Sequence, residues 1–195
     1  MDIQRQLSIS HPNNYACNLG LSLYTLGYAL NELGLYSEAL KVIYEAVKIQ
    51  RHLTTIRSDT SPLSFLAESL NLLGKILGKL RQYEEALEVT CEATAILREM
   101  VKTYPESSHS DLVRSLINLG NRFHDLKYHE DALESYNEAT PIIKTLAEKY
   151  PQVFEKDMYR NLYGRIRALQ LLGREKEIPP EEMVELKYLT QKFYN

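Results

Sequence analysis

Apolar residues along this chain recur at three- and four-residue spacing, and no stretch alternates with period two. Phe65, Leu66, Leu70, Leu73 and Leu77 trace one such stripe, the mark of an amphipathic helix. Ser61 and Pro62 stand before it as a cap and a first helical residue. After Arg81 and Gln82 a second stripe runs from Tyr83 to Val101, with Ala86, Leu87, Ala93, Ile96 and Met100 on its apolar side. Pro105 closes it, because the residue before a proline is pushed out of the helical region. The pattern predicts two helices of about 18–21 residues, each roughly 30 Å long, joined by a turn. No sheet is expected.

This helical hairpin is repeated. The stretches LYTLGYALNELGLYSEALKVIYEAVKI, LNLLGKILGKLRQYEEALEVTCEATAI and LINLGNRFHDLKYHEDALESYNEATPI begin at Leu23, Leu70 and Leu116, which are 47 and 46 residues apart. Self-similarity at such a period marks stacked supersecondary units. Gly27, Gly74 and Gly120 fall mid-helix, where glycine costs about 1 kcal/mol relative to alanine. That cost is tolerable where another helix must pass close to the backbone. Ala39, Ala86 and Ala132 occupy the matching slot on the second helix, and Ala46, Ala93 and Ala139 add a small site two turns on. Leu30, Leu77 and Phe123 fill the remaining space.

The order Leu-x-x-Leu-Gly, then Ala-Leu, then Ala resembles the tetratricopeptide repeat. Leu23 and Leu70 stand where that family has tryptophan, and Leu30 and Leu77 where it has tyrosine. The common form is about 34 residues long, so each unit here is about 12 residues longer. The chain is therefore similar to the long-repeat branch found in kinesin light chains and in arrays attached to signalling NTPases or caspase-like peptidases. The resemblance implies an all-α fold, an α-solenoid of antiparallel helix pairs wound into a right-handed superhelix. Residues 1–195 read as a single repeat domain. It has a partial repeat over 1–12, repeats over about 15–58, 63–104 and 109–150, and a degenerate repeat with a C-terminal capping helix over 155–195.

Both ends depart from the pattern. TPIIKTLAEKYP, from Thr140, aligns with MDIQRQLSISHP, placing Ile142 on Ile3, Leu146 on Leu7 and Pro151 on Pro12. The chain is thus expected to begin midway through a second helix, with Ile3 and Leu7 poorly covered or in contact with another molecule. From Met158 to Gly173 the register continues, with Leu162 on Leu116, but Ile166 takes the glycine slot and Arg165 a leucine slot. Pro179 and Pro180 interrupt the next helix. Glu181 to Phe193 reads as a late amphipathic helix with Met183, Leu186, Leu189 and Phe193 on one side, a solubilising cap of the kind terminal repeats supply.

Composition narrows the function. The net charge of -3 gives no overall pull toward nucleic acid or anionic membranes. No apolar run approaches the roughly 18 residues that span a bilayer, and the N-terminus lacks a signal-peptide pattern. With only Cys17 and Cys91, a reduced cytoplasmic chain is expected, its cysteines serving as small packing residues without a basic neighbour.

Candidate chemistry is sparse. His129-Glu130-Asp131 lacks a second histidine at helical metal-ligand spacing, and His124, five residues earlier, is expected on a different face. Ser107-Ser108-His109-Ser110-Asp111 contains the residue types of a serine triad, but neighbours in one linker cannot adopt its geometry; a helix N-cap is the reading. Glu84-Glu85 and Glu181-Glu182 open helices, where carboxylates favour the dipole. The expectation is no catalytic residue, no metal and no cofactor.

What remains is the surface lined by the first helix of each unit. The resemblance implies a concave groove carrying Tyr24, Tyr28, Asn31, Asn71, Lys75, Arg114, Asn121, His124, Arg160, Tyr163 and Arg167, with Glu68 the only acid among them. Arginine pairs bidentately with carboxylates, and tyrosine adds rigid contact area. The chain therefore reads as a non-catalytic protein–protein interaction scaffold binding a peptide segment, acidic in character, in that groove. The alternative is a fragment of a larger array regulating an attached NTPase or caspase-like peptidase. Partners are proteins or peptides rather than nucleic acid or membrane, with self-association through the incomplete N-terminal repeat as a further partner class.

Overall fold

A computed structural model describes residues 12–56 and 61–194. Among them are eight α-helices and no strand. In chain order these are α1 (Pro12–Glu32), α2 (Tyr36–Ile56), α3 (Ser61–Lys79), α4 (Tyr83–Thr103), α5 (Pro105–Asp125), α6 (His129–Lys149), α7 (Pro151–Leu171) and α8 (Pro180–Tyr194). A 3-10 turn, Glu175–Glu177, lies before α8. The helices group into two compact units, one up to Met100 and one from Val101. Ile3 and Leu7, on which the truncated-repeat expectation rests, lie outside the described residues.

One backbone device makes every hairpin. Gly34, Arg81, Lys127 and Gly173 all have positive φ, at 76°, 63°, 66° and 69°. They occupy the same slot of the repeat. After each, an amide donates back to a carbonyl five residues earlier: Leu35 to Leu30 at 2.9 Å, Gln82 to Leu77 at 3.0 Å, Tyr128 to Phe123 at 2.9 Å and Arg174 to Leu169 at 2.8 Å. This is the left-handed helix stop that satisfies the last carbonyls of a helix. Glycine suits it; Arg81 and Lys127 hold it at a steric cost.

In the first unit the hairpin is antiparallel. A Cβ at Gly20 would lie 3.5 Å from Gln50 and Ile49, and one at Gly27 would lie 3.5 Å from Ile43. Early α1 therefore meets late α2, and late α1 meets early α2. Leu23, Ile43, Leu70, Leu73, Ile76 and Leu77 are nearly or fully buried in one core with Ala39, Ala46, Ala86 and Ala93. Gly74 makes the closest approach: a Cβ there would fall 2.2 Å from Thr90 Oγ1 and 3.1 Å from the Ala86 carbonyl. Glycine is required in that slot, while at Gly27 the contact is an ordinary one.

The second unit fills the same space with an aromatic ring. Tyr136, on α6, is 1% exposed. A Cβ at Gly120 of α5 would lie 2.6 Å from the ring, and one at Gly164 of α7 would lie 2.4 Å from it. The close-contact glycine of α7 is thus Gly164, two residues before Ile166, which is buried. In α7 the glycine is displaced from the slot held by Gly120 in α5, because the tyrosine needs room on both neighbours.

Other expectations are corrected or sharpened here. Pro105 opens α5 as well as ending α4: it has no N–H to lose and its φ suits the first helical position. Ser107 to Asp111 therefore lie within the first turns, and no side chain caps that end. Cys91 is exposed, and Arg98 lies close enough to favour its thiolate, although partial loss of water around the sulfur outweighs that charge and pushes the thiol up. On α8, Met183 and Phe193 are exposed at 45% and 37% while Leu189 is buried. Arg165, placed at a core position, is half-buried and paired with Glu182 of α8.

Candidate functional site

The residues singled out as a groove divide between the units. In the first unit Tyr24, Tyr28 and Asn31 come from α1, Asn71 and Lys75 from α3. Tyr28 is 49% exposed, and Tyr24 packs partly into the core. Asn31 is buried, its amide donating to Glu32 at 2.9 Å, so it does not present itself to a ligand. Lys75 Nζ lies 3.0 Å from Glu32 Oε1, with both side chains largely exposed. Glu32 is therefore an acid on this face in addition to Glu68. An exposed pair of this kind contributes about 0–1 kcal/mol.

In the second unit α5 and α7 carry a ladder of alternating charge. Arg114 reaches Asp111 at 3.8 Å and Asp157 at 3.4 Å; Arg160 reaches Asp157 at 3.4 Å and donates to Asn118 Oδ1 at 3.0 Å. Asp157 is 7% exposed, so it is held between two guanidinium groups. Burial pushes the Asp111 carboxyl up, opposed by Arg114 and by a hydrogen bond from Ser110. The ladder follows the repeat: Asp111 and Arg114 on α5 stand 46 residues before Asp157 and Arg160 on α7. A duplicated Asp-x-x-Arg was legible in the chain. The expectation of Glu68 as the sole acid on this face is thereby corrected.

Above the ladder the face is less neutralised. Arg167 is exposed and makes no ion pair among the described residues. Tyr163, one turn earlier, is 46% exposed and stacks on Tyr159 at 6.0 Å. Asn121 accepts a 2.8 Å hydrogen bond from the Tyr136 hydroxyl, which fixes the amide from beneath. Burial first, and then the charge of Asp125, push the Tyr136 hydroxyl well above the ordinary phenol range, opposed by Arg122, Arg160 and Arg167.

His124 and His129 do not point apart. The hairpin stop at Lys127 brings their ring centroids to 4.9 Å. The Nδ1 atoms of both are buried without a hydrogen-bond partner. Burial, then Arg167, then His129 push the His124 pKa down to about 4, so it is neutral near pH 7. Among the described residues no three histidine, cysteine, aspartate or glutamate side chains gather as a metal site.

Residues 21–52 and 67–96 match the model of the tetratricopeptide repeat. Two stretches of the first unit thus match the tetratricopeptide repeat. These two matches are the first two hairpins recognised from Leu23 and Leu70. The fold is similar to a solved structure of Podosopora anserina, named as a kinesin light chain with nearly identical TPR-like repeats, at 17% identity and TM-score 0.55, covering 93% of this chain and 100% of that one. A second structure, a variant of the same protein, matches at 18% identity and TM-score 0.52 over 88% of this chain and 94% of that one. Comparison with curated protein sequences gives no match. Tetratricopeptide repeats generally mediate protein–protein interaction and typically serve as non-catalytic scaffolds. No helix among the described residues is long and apolar enough to cross a membrane.

Proposed function

We propose that this tetratricopeptide-repeat chain binds peptide segments of a partner protein on two faces, one formed within the first unit by α1 with α3 and one within the second unit by α5 with α7. The observation that supports this most is the pairing of exposed Arg167 with exposed Tyr163 one turn away on α7. Arg167 offers a fork of donors for a carboxylate, and Tyr163 offers flat apolar area for a neighbouring side chain. Lys75 supports the same reading in the first unit: its partner Glu32 is exposed, and a ligand carboxylate can displace it at little cost. Arg114 and Arg160 contribute differently. Held by buried Asp157, they set a near-neutral, hydrogen-bonding stretch suited to the backbone of the ligand. In this reading the ligand is acidic where it meets Arg167 and Lys75, and the chain works in a reducing cytoplasm where Cys17 and Cys91 stay as thiols.

The test is fluorescence polarisation with a short fluorescein-labelled peptide alternating Glu and Leu, against its Lys-Leu counterpart. The acidic peptide is expected to bind, more weakly as salt rises, since exposed charges are screened over about 8–10 Å near physiological ionic strength. The double variant Lys75→Glu with Arg167→Glu is expected to lose that binding with its helical content unchanged. Equal binding of both peptides, or full retention by the double variant, contradicts the reading.

A further inference from the structure

One side of α1 carries an apolar stripe that stays open to water. Leu26, Ala29 and Leu33 follow one another at three- and four-residue spacing, so they share a face. Leu26 is 38% and Leu33 73% exposed, and Ala29 is exposed as well. Gly27, the residue after Leu26, faces Ile43 of α2. The stripe is therefore turned about 100° from the hairpin partner, and Tyr28 as far to the other side. It is not the peptide face.

The repeat shows what such a stripe takes. The same positions of α3, 47 residues on, are Leu73, Ile76 and Leu80. Leu73 is 1% and Ile76 0% exposed, in one core with Val42 and Val47 of α2. Gly74 of α3 faces Thr90 of α4, and α2 packs on α3 from the other side of the stack and covers the stripe. The same α2 also grips α4: the Tyr44 hydroxyl donates to Glu85, and the Arg51 guanidinium to Glu92. A covering helix thus holds both helices of the hairpin beside it, one through apolar side chains and the other through donors to carboxylates. The α1–α2 hairpin carries the same layout. Glu38 on α2 stands 47 residues before Glu85, is exposed, and makes no hydrogen bond or ion pair among the described residues. A repeat that closes a stack presents a polar outer side; α1 presents leucines.

We infer that this edge of α1 docks an amphipathic helix of a partner protein, of the same kind as α2. Its leucine- or valine-sized side chains lie on Leu26, Ala29 and Leu33, and a cation or hydroxyl on its flank reaches Glu38. The inference shares no residue with the peptide faces and does not depend on them.

The probe is a synthetic peptide with the sequence of α2, Tyr36–Ile56, added to the isotope-labelled full chain and followed by amide NMR. Signals of residues 22–33 and of Glu38 are expected to shift, and those of residues 69–80 to stay. Leu26→Lys with Leu33→Lys, both at exposed positions, should weaken binding at least about tenfold at unchanged helical content. Two peptide variants read the charge. The peptide with Tyr44→Lys should bind about three- to tenfold more tightly than that with Tyr44→Glu at low salt. To the Glu38→Ala chain the two should bind alike. No shift over residues 22–33 at about 1 mM peptide, a weak affinity for a helix, overturns the proposal. So do full retention by the double variant, equal binding of the two charge variants to the native chain, or shifts centred on residues 69–80, which mean exchange with the chain's own α2. A chain that sediments as a dimer, and as a monomer once Leu26 and Leu33 are lysine, overturns it too, because a second copy is then the occupant.

Discussion

The two units place their helices by the same register and fill the space between them with different chemistry. In the first, the slot facing the mid-helix glycine holds Ile43 and then Thr90; in the second it holds Tyr136. Ile43 leaves Gly27 at ordinary contact distance, Thr90 comes within bonding range of a Cβ at Gly74, and Tyr136 closes on two glycines at once. The outer faces differ in parallel. The first unit shows one exposed Lys75–Glu32 pair, the second a ladder in which Asp157 is buried between two arginines. A repeat fixes where backbones run; it leaves free how each gap is filled, and the filling decides which face is locked and which is open to a ligand.

The comparison breaks most visibly at Tyr136. Tyr136→Ala removes a buried ring from between Gly120 and Gly164 and should destabilise the chain by about 3–5 kcal/mol, whereas Thr90→Ala removes far less buried volume and should cost much less. Chemical denaturation of both variants measures the difference. Equal losses would mean that Tyr136 is not the keystone of its unit.

Glycine substitutions should change sign between hairpins. Gly74→Ala drives a methyl into Thr90 and should cost about 1–3 kcal/mol. Adding Thr90→Ala should recover most of that loss, a coupling that a double-mutant cycle reads directly. Gly27→Ala meets only ordinary contacts and should stabilise by up to about 1 kcal/mol through helix propensity. Thermal midpoints that fall for both alanines would refute the distinction.

The hairpin stops offer a smaller and opposite effect. Lys127→Gly and Arg81→Gly relieve a left-handed backbone held by a residue that carries a Cβ and should each stabilise by about 1 kcal/mol. Gly34→Ala and Gly173→Ala should destabilise by a similar amount. Urea midpoints of the four variants test this together.

The smallest effect is on pH dependence. The folded chain keeps His124 near a pKa of about 4, against 6.5 as the unperturbed value. Between those values the unfolded chain binds more protons, so stability is full above about pH 6.5 and falls as pH drops toward 4. His124→Gln should flatten the stability profile in that window by up to one proton. An unchanged profile would mean that His124 is not held neutral by its burial and by Arg167.

The repeat was legible because it rests on residues with few substitutes. Gly74, Gly120, Ala86 and Ala132 are small where nothing larger fits, so the sequence alone carries the register from Leu23 through Leu162. The hairpin stop was not legible: its backbone conformation is shared by Gly34, Arg81, Lys127 and Gly173, and two of those residue types give no hint of it. The His124–His129 contact follows from that turn, so it was missed as well. Asn31 was assigned to the open face because helical position gives direction but not depth. Asp111 and Asp157 were missed although their spacing from Arg114 and Arg160 was in plain view; a cation without its carboxylate misstates the charge of the face. The shift of the close-contact glycine to Gly164 depends on Tyr136, a residue on another helix, and single-helix patterns do not carry such dependence.

The central functional claim is that peptide binds at the α1–α3 face of the first unit and at the α5–α7 face of the second rather than on the other helices. Amide NMR of the isotope-labelled chain with the Glu-Leu peptide tests it most directly. The account predicts that saturating peptide shifts signals at Tyr28, Lys75, Tyr163 and Arg167 and leaves those at exposed positions of α2 and α6, such as Lys41 and Glu134, unmoved. Shifts confined to α2, α4, α6 or α8, with Lys75 and Arg167 unmoved, would contradict it.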